Sequence, residues 1–271
     1  MYPFIYRRPG TLADAQRLFG EAENASFLSG GHTLLPALKM RLAMPSDLID
    51  LAAIPELHGI RFENGLLSIG ATTRHAEVAA SPVVGEKIPA LAGLAGSIGD
   101  RHVRHRGTIG GSVANNDPAA DYPSAVLGLG ATVVTDRRSI AADDFFVALY
   151  ETALEPGEII TRIDFPVPDR AGYAKFRSAA SRYAVAAVFV AKFGSVVRAA
   201  VTGAGSGGVF RLRDLEQALV KDFGPAAVAH CKVDPGAMLE DLVGTSEYRA
   251  NLVLVMARRA LEHLGEAVSY K

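Results

Sequence analysis

The hydrophobic positions near the start of the chain alternate between the spacing of a helix and that of a strand. Residues 11–23 repeat with the period of one helix face, and Thr11 stands at the position of an N-cap. Residues 27–29 indicate a strand, and helical spacing returns over residues 34–42. The pattern predicts a strand, a glycine turn and a helix in succession.

The same mixture of periods continues to residue 165. An Asn-Gly pair at Asn64–Gly65 predicts a tight hairpin turn within residues 59–70, and Thr72 or Thr73 is expected to cap the next helix. The remaining segments are predicted as strands at residues 48–51, 131–135 and 158–165 and as helices at residues 88–98 and 124–129.

A proline- and glycine-containing stretch over residues 166–172 predicts a domain boundary. We therefore divide the chain into residues 1–170 and 171–271. Three neighbouring strands in the second part predict a three-stranded antiparallel sheet, and two amphipathic segments predict helices, which together indicate an α+β domain. The strands cover residues 173–179, 186–193 and 195–203, and the helices cover residues 212–220 and 248–264.

Composition and charge restrict the class of protein. Hydrophobic residues make up 49% of the 271 residues and charged residues 21%, a balance typical of globular proteins. The 28 basic residues against 29 acidic ones leave no positive excess for nucleic acid. The longest apolar run, residues 184–191, is too short for a transmembrane segment, and the N-terminus lacks the pattern of a secretion signal. We expect a cytoplasmic protein, either free or peripheral at the inner membrane face.

The inventory of metal-binding side chains points to an organic cofactor. Cys231 is the only cysteine, which excludes an internal disulfide and an iron–sulfur cluster within this chain. Only His102 and His105 lie close together, and three arginines beside them would repel a cation, so we predict no metal site. The sequence also shows no Ser–His–Asp arrangement and no catalytic carboxylate pair, so we predict no catalytic residue and assign the chemistry to a cofactor.

Two glycine-rich loops carry the candidate binding chemistry. The first, Ser29-Gly30-Gly31-His32-Thr33, joins a predicted strand to a helix, where amide groups could converge on an anion. Its glycines are expected to matter because a Cβ would keep the backbone from a pyrophosphate. The second covers residues 108–123. Its small residues are expected to permit close approach to a ligand, and its backbone amides, like those of the first loop, are expected to hold the ligand's negative charge. In that loop Asp121 could accept hydrogen bonds from ribityl hydroxyls, whereas Asp117 is expected to form a turn.

The two loops, taken with their flanking sequence, resemble the FAD-binding medium subunit of aerobic carbon monoxide dehydrogenase and its xanthine dehydrogenase relatives, the molybdenum hydroxylases. The likeness rests on residues 29–36 and 104–112 and continues through residues 117–121, 157–160, 163–166 and 247–249. It implies a two-part PCMH-type, vanillyl-alcohol-oxidase-like FAD-binding domain, followed by the small C-terminal domain of these flavoproteins.

The resemblance also implies a cofactor, partners and individual roles. FAD would collect electrons from a small partner subunit with two [2Fe-2S] clusters, which receives them from a large molybdenum-cofactor subunit, in a dimer of heterotrimers. The flavin would then reduce an external acceptor. The pyrophosphate would be held by Gly30, Gly31, His32 and Thr33, and the ribityl and phosphate region by Thr108, Gly110, Gly111, Ser112 and Asp121. Ile160 and Tyr183 would lie near the isoalloxazine, with Arg177 as a further candidate.

Two departures and two alternatives accompany this interpretation. Ser112 stands where many relatives carry Asp or Asn, and His105 replaces a frequent Asn, which could change the contact with a partner subunit. The stretch Gly203-Ala204-Gly205-Ser206-Gly207-Gly208 matches a dinucleotide fingerprint and leaves NAD as an alternative ligand, although no second parallel strand follows it. A phosphate-ligand-binding protein without redox turnover is the non-enzyme alternative.

Overall fold

The structure is a computed structural model that describes residues 1–271, and it begins with a small parallel sheet. The strands β1, β2 and β3 lie in the order β1-β3-β2, and the helices α1 and α2 occupy the two connections. Their bounds are β1 Ile5–Arg7, α1 Leu12–Glu21, β2 Ala25–Leu28, α2 Leu34–Lys39 and β3 Asp47–Asp50. The predicted strand, glycine turn and helix are thus present, and the hydroxyl of Thr11 caps α1 by accepting from the amide of Asp14.

A five-stranded antiparallel sheet follows, in the order β4-β5-β10-β6-β7, beside a two-stranded hairpin of β8 and β9. The strands are β4 Ile60–Glu63, β5 Leu66–Gly70, β6 Thr132–Thr135, β7 Ser139–Ala141, β8 Phe146–Ala148, β9 Glu151–Thr152 and β10 Ile160–Pro166. The helices are α3 His75–Ala80, α4 Pro82–Lys87, α5 Pro89–Ser97, α6 Arg101–Arg106, α7 Ile109–Asn115, α8 Tyr122–Gly128 and α9 Ala142–Phe145. The predicted hairpin turn is present, with Asn64 and Gly65 both at positive φ.

Two local predictions in this region are wrong. The segment after Thr108 was expected to be a loop, but it forms the helix α7, with Thr108 as its N-cap. The predicted caps Thr72 and Thr73 lie before α3 instead, whose N-cap is Arg74. Both threonine side chains are buried and bond to backbone carbonyls of residues 57 and 59, so tertiary contacts take the place of the expected cap.

The C-terminal sheet has five strands in place of the predicted three. It contains β11 Arg170–Arg177, β12 Ala184–Phe193, β13 Val196–Thr202, β14 Phe210–Arg211 and β15 Ala267–Tyr270, in the order β14-β13-β12-β11-β15. The predicted antiparallel strands form its centre, and β15 adds a parallel edge beside β11. The helices α10 Arg213–Lys221 and α11 Ser246–Glu262 complete this part. The two added strands are short and gain their partners only through tertiary folding, so local periodicity does not reveal them.

The C-terminal sheet is covered on both faces. On β12, Ala187, Phe189 and Ala191 belong to a hydrophobic core of 32 residues that also includes side chains of α5 and α8. Val188 and Val190, which point the other way, belong to a second core of 23 residues that includes α10 and α11. The parts before and after residue 170 therefore share one core, and this fixes the loops of both parts relative to each other.

Candidate functional site

All eleven residues predicted to bind the cofactor line one cavity. It has a volume of about 630 Å³ and lies between the parallel sheet, the helix α7 and the turn that joins β11 to β12. Those residues are Gly30, Gly31, His32, Thr33, Thr108, Gly110, Gly111, Ser112, Asp121, Ile160 and Tyr183. The volume falls in the range of small-molecule and cofactor sites.

The first glycine loop presents free backbone donors to this cavity. It connects β2 to α2, and Gly31 has a φ of +75°, which favours glycine. The amides of Gly30, Gly31, His32 and Thr33 donate to no acceptor of the protein. Four consecutive unpaired N–H groups at the edge of a cavity could together bind an anion.

The second glycine segment differs from this prediction, because its amides are already bonded. The N–H groups of Ile109 and Gly110 donate to the carbonyls of Thr73 and Ala71 at 3.1 and 2.9 Å. The Gly111 amide donates to the Thr108 hydroxyl at 3.3 Å. The expectation that both loops offer backbone amides is therefore wrong for the second, which faces the cavity with side chains such as that of Ser112.

The glycines serve packing between protein segments more than approach to a ligand. A Cβ on Gly110 would lie 2.7 Å from the carbonyl oxygen of Ala71. A Cβ on Gly30 would collide with the backbone of Arg106 and Gly107. The sequence-based reason for these glycines, close approach of the backbone to a ligand, is thus corrected at both positions: the space is taken by another stretch of backbone. A hydrogen bond of 2.8 Å between the hydroxyls of Ser29 and Thr108 further joins the two segments.

Asp121 lies in a buried ion pair at the wall of the cavity. Its carboxylate is 2.8 Å from Nζ of Lys175, and it also accepts a short hydrogen bond from the hydroxyl of Tyr173. The side chains of Asp121 and Lys175 are 4% and 1% exposed. Both partners come from β11, so this cluster ties the C-terminal sheet to the second glycine segment. The contact of Asp121 with a ribityl chain stays a prediction.

Glu158, just before β10, and Ile160, the first residue of that strand, line the cavity. The Glu158 carboxylate accepts from Nε and Nη2 of Arg138, both at 2.9 Å, from the Thr135 hydroxyl at 2.8 Å and from the Glu155 amide at 2.8 Å. The hydrogen bonds from Arg138 lower the pKa of Glu158 to about 2, against the opposing effect of burial.

We expect the Glu158→Gln variant to lower the free energy of unfolding by about 1–2 kcal/mol at pH 7, because Arg138 loses its charged acceptor. The loss stays moderate because almost half of the Arg138 side chain is exposed to water. Because the pKa of Glu158 is lower in the folded than in the unfolded protein, its ionised carboxylate stabilises the fold at pH values above the unfolded-state pKa, near 4.5. This stabilisation is lost as the pH falls toward 2. The difference in thermal unfolding between the wild type and the variant should therefore become smaller from pH 7 to pH 3. A constant difference across that range would contradict the assignment.

Tyr183 and Arg182 border the opposite side of the cavity. They lie in the turn between β11 and β12, where Arg182 has a φ of +64° and its Nη1 donates to the Gly99 carbonyl at 3.4 Å. Partial burial raises the pKa of Tyr183. Arg177, a further candidate, does not line the cavity, and its Nε is buried without a partner.

Several cavity residues were not predicted from the sequence. Phe19 and Phe27 stack with ring centroids 4.8 Å apart and form part of the lining. His75 also lines it, although its side chain is almost entirely buried. Phe19 lies on the apolar face of α1 and Phe27 on β2. Both elements are predicted from the sequence, so this aromatic pair could have been predicted as well. His75 stands between Arg74 and Ala76 with no other histidine nearby, and no local pattern singles it out.

The alternative NAD fingerprint is not in a dinucleotide-binding arrangement. The strand β13, which precedes Gly203, is antiparallel to both of its neighbours, whereas the fingerprint requires a parallel β-α-β unit. A Cβ on Gly203 would lie 2.6 Å from the Ala184 carbonyl oxygen, and one on Gly205 would lie 2.6 Å from that of Gly208. These glycines serve a turn. None of the helices has the length and the apolar character of a transmembrane span.

The comparisons with known proteins agree with this geometry. Residues 2–168 match the family described as the FAD binding domain in molybdopterin dehydrogenase. The chain is 36% identical to the carbon monoxide dehydrogenase medium chain of Hydrogenophaga pseudoflava, over 95% of this chain and 96% of that one. It is 35% identical to the nicotine 6-hydroxylase medium subunit of Paenarthrobacter nicotinovorans, over 96% of each chain.

A solved structure shows the same likeness. Carbon monoxide dehydrogenase from Hydrogenophaga pseudoflava, in a form that lacks the Mo-pyranopterin moiety of its molybdenum cofactor, superimposes with a TM-score of 0.84 at 35% identity over 97% of both chains. These findings confirm the predicted resemblance, the predicted cofactor FAD and the prediction of an oxidoreductase subunit. The chain belongs to the family of FAD-binding subunits of the molybdopterin dehydrogenases.

Proposed function

We propose that this chain is the FAD-binding electron-transfer subunit of a molybdenum hydroxylase. The observation that carries the proposal is the row of four unpaired amides, residues 30–33, at the edge of a cavity of about 630 Å³. In a folded protein, neighbouring free N–H groups beside a cavity are best satisfied by a ligand with several anionic oxygens. The pyrophosphate of FAD fits this requirement.

The remaining lining fits the rest of such a cofactor. The hydroxyl-bearing side chains of Thr108 and Ser112 and the carboxylate of Asp121 would hold the ribityl and phosphate region. Ile160 and Tyr183 would lie near the isoalloxazine, as the resemblance implies. When bound, the flavin supplies the ability to take electrons singly and release them in pairs. The residues of this chain bind and orient it, and none is required as a general base.

The partners are part of the same proposal. The relatives are medium chains or medium subunits by name, which supports a complex with a large molybdenum-cofactor subunit and a small [2Fe-2S] subunit. We propose a dimer of such heterotrimers in the cytoplasm, in which this chain takes electrons from the clusters and reduces an external acceptor. Residues 1–170 would form the FAD-binding domain and residues 171–271 the C-terminal domain.

Ligand titration tests the site. We expect the purified chain to bind FAD and show flavin absorbance after gel filtration. ADP should compete with FAD because it carries the pyrophosphate, and riboflavin should bind at least about tenfold more weakly because the phosphate contacts are charge-assisted. Equal binding of riboflavin and FAD would contradict the role of residues 30–33, and no binding of either would contradict the function.

Purification of the complex from its native source tests the partners. Molybdenum, iron and flavin should elute together with this chain, with a mass by light scattering that corresponds to two heterotrimers. A flavin-loaded chain that elutes without other subunits or metals would contradict the proposed complex while leaving the FAD site intact.

A further inference from the structure

His75 is a buried polar side chain that faces the cavity without a hydrogen-bond partner. It is the first residue of α3, it is 5% exposed, and its ring lines the cavity. Its Nδ1 is buried and bonds to nothing in the protein. The other ring nitrogen, Nε2, has no hydrogen-bond partner in the protein either, but unlike Nδ1 it keeps accessible surface, so it is the nitrogen that a ligand in the cavity can reach.

Gly107 links this ring to the segment that carries the free amides. The backbone N–H of His75 donates to the Gly107 carbonyl at 2.9 Å. A Cβ on Gly107 would lie 2.6 Å from Nε2 of His75, so the absence of a side chain at that position makes room for the ring. Gly107 in turn packs against Gly30, the first residue with an unpaired amide. The ring and Gly30 thus both lie against Gly107 and line the same cavity.

The imidazole is neutral in this setting. Burial, followed by the nearby His32 and Arg104, lowers the pKa of His75 to about 3. A neutral imidazole carries one N–H donor, which can bond to a phosphate oxygen without a second desolvated charge.

We propose that His75 donates its Nε2–H to the phosphate region of the bound dinucleotide and thereby acts as a cofactor-binding residue. This inference rests on the proposed function. It adds a contact from α3 to the groups of the two glycine segments, and it accounts for the glycine at position 107.

Affinity measurements on two His75 variants and one control test the proposal. The His75→Leu variant should bind FAD about 10- to 100-fold more weakly, as expected for loss of a hydrogen bond to a charged group. The His75→Gln variant, which keeps a neutral donor, should recover most of that loss. Tyr122→Phe is the matched control: its ring centroid is 5.3 Å from that of His75 and its hydroxyl also lacks a partner, but the residue does not line the cavity. It should bind FAD as the wild type does.

A direct readout comes from the imidazole nitrogens. With ¹⁵N-labelled histidine, the His75 ring signals of the wild type, assigned by their absence in His75→Gln, should shift when ADP is added and remain in place when riboflavin is added. This measurement needs no loss-of-function variant, so it decides the matter even where His75→Leu does not fold.

The outcomes separate the two proposals. Wild-type protein that binds no FAD would overturn the proposed function and the His75 contact together. Wild-type protein that binds FAD, with His75→Leu folded and of equal affinity or with His75 signals unmoved by ADP, would overturn the His75 contact alone.

Discussion

Replacement of Lys175 by methionine is expected to lower the free energy of unfolding by about 3–5 kcal/mol, because it leaves a buried carboxylate without its charged partner. Nζ of Lys175 lies 2.8 and 2.9 Å from the two carboxylate oxygens of Asp121, and both side chains are almost fully buried. The hydroxyl of Tyr173 would remain as a neutral donor to Asp121. It cannot compensate a buried negative charge.

The same substitution at a second lysine shows how much of the stability loss comes from the buried ion pair. Lys192 lies on the adjoining strand β12, has no carboxylate partner and contacts the ring of Phe223. Lys192→Met should therefore cost less than about 1 kcal/mol. Urea unfolding monitored by circular dichroism gives both values.

A double variant tests the physical reason. Asp121→Asn combined with Lys175→Met removes both charges and should be more stable than Lys175→Met alone, because no unpaired charge stays buried. If the double variant were instead less stable by the sum of the two single effects, the two groups would not be coupled, and Asp121 would need another explanation for its burial.

Lys175 also shows where sequence reasoning stops. A lysine in a strand ordinarily indicates a solvent-facing position. Its strand was predicted. Its burial, however, depends on α8, which packs on the face of the C-terminal sheet that carries Tyr173 and Lys175 and brings Asp121 to it from 54 positions away. The parallel strand β15 was missed for the same kind of reason, since its partner β11 lies almost a hundred residues earlier in the chain.

The two glycine segments were predictable to different degrees. The first follows a strand and precedes a helix, so its conformation and its free amides follow from local sequence. The second was read as a loop because glycine disfavours helices. Its helical form depends on hydrogen bonds from Ile109 and Gly110 to residues 73 and 71, which no local pattern reveals. The eleven predicted residues do line one cavity, but others that line it were not predicted, and the reason given for the glycines at positions 30 and 110 is wrong.

Gly110→Ala is the second variant for which we expect a large effect. A Cβ at this position would lie 2.5 Å from Cβ of Ala71 and 2.7 Å from its carbonyl oxygen, and backbone cannot move aside as a flexible side chain could. The substitution should force α7 away from Ala71 and break the hydrogen bond from the Gly110 amide. We expect a loss of about 2–4 kcal/mol in the free energy of unfolding, from overpacking and the lost hydrogen bond. FAD affinity should fall at least about tenfold, because Thr108 and Ser112 move with the helix.

Gly85→Ala provides the matched control with the opposite sign. Gly85 lies within α4, and a Cβ there would meet no atom within 4 Å. Alanine should therefore stabilise the protein by about 0.5–1 kcal/mol through its higher helix propensity and leave FAD binding unchanged. Thermal unfolding and FAD titration on the two variants compare the same chemical change in two environments. If Gly110→Ala kept the stability and affinity of the wild type, α7 could leave Ala71 without disturbing the cavity, and the packing role assigned to Gly110 would be wrong.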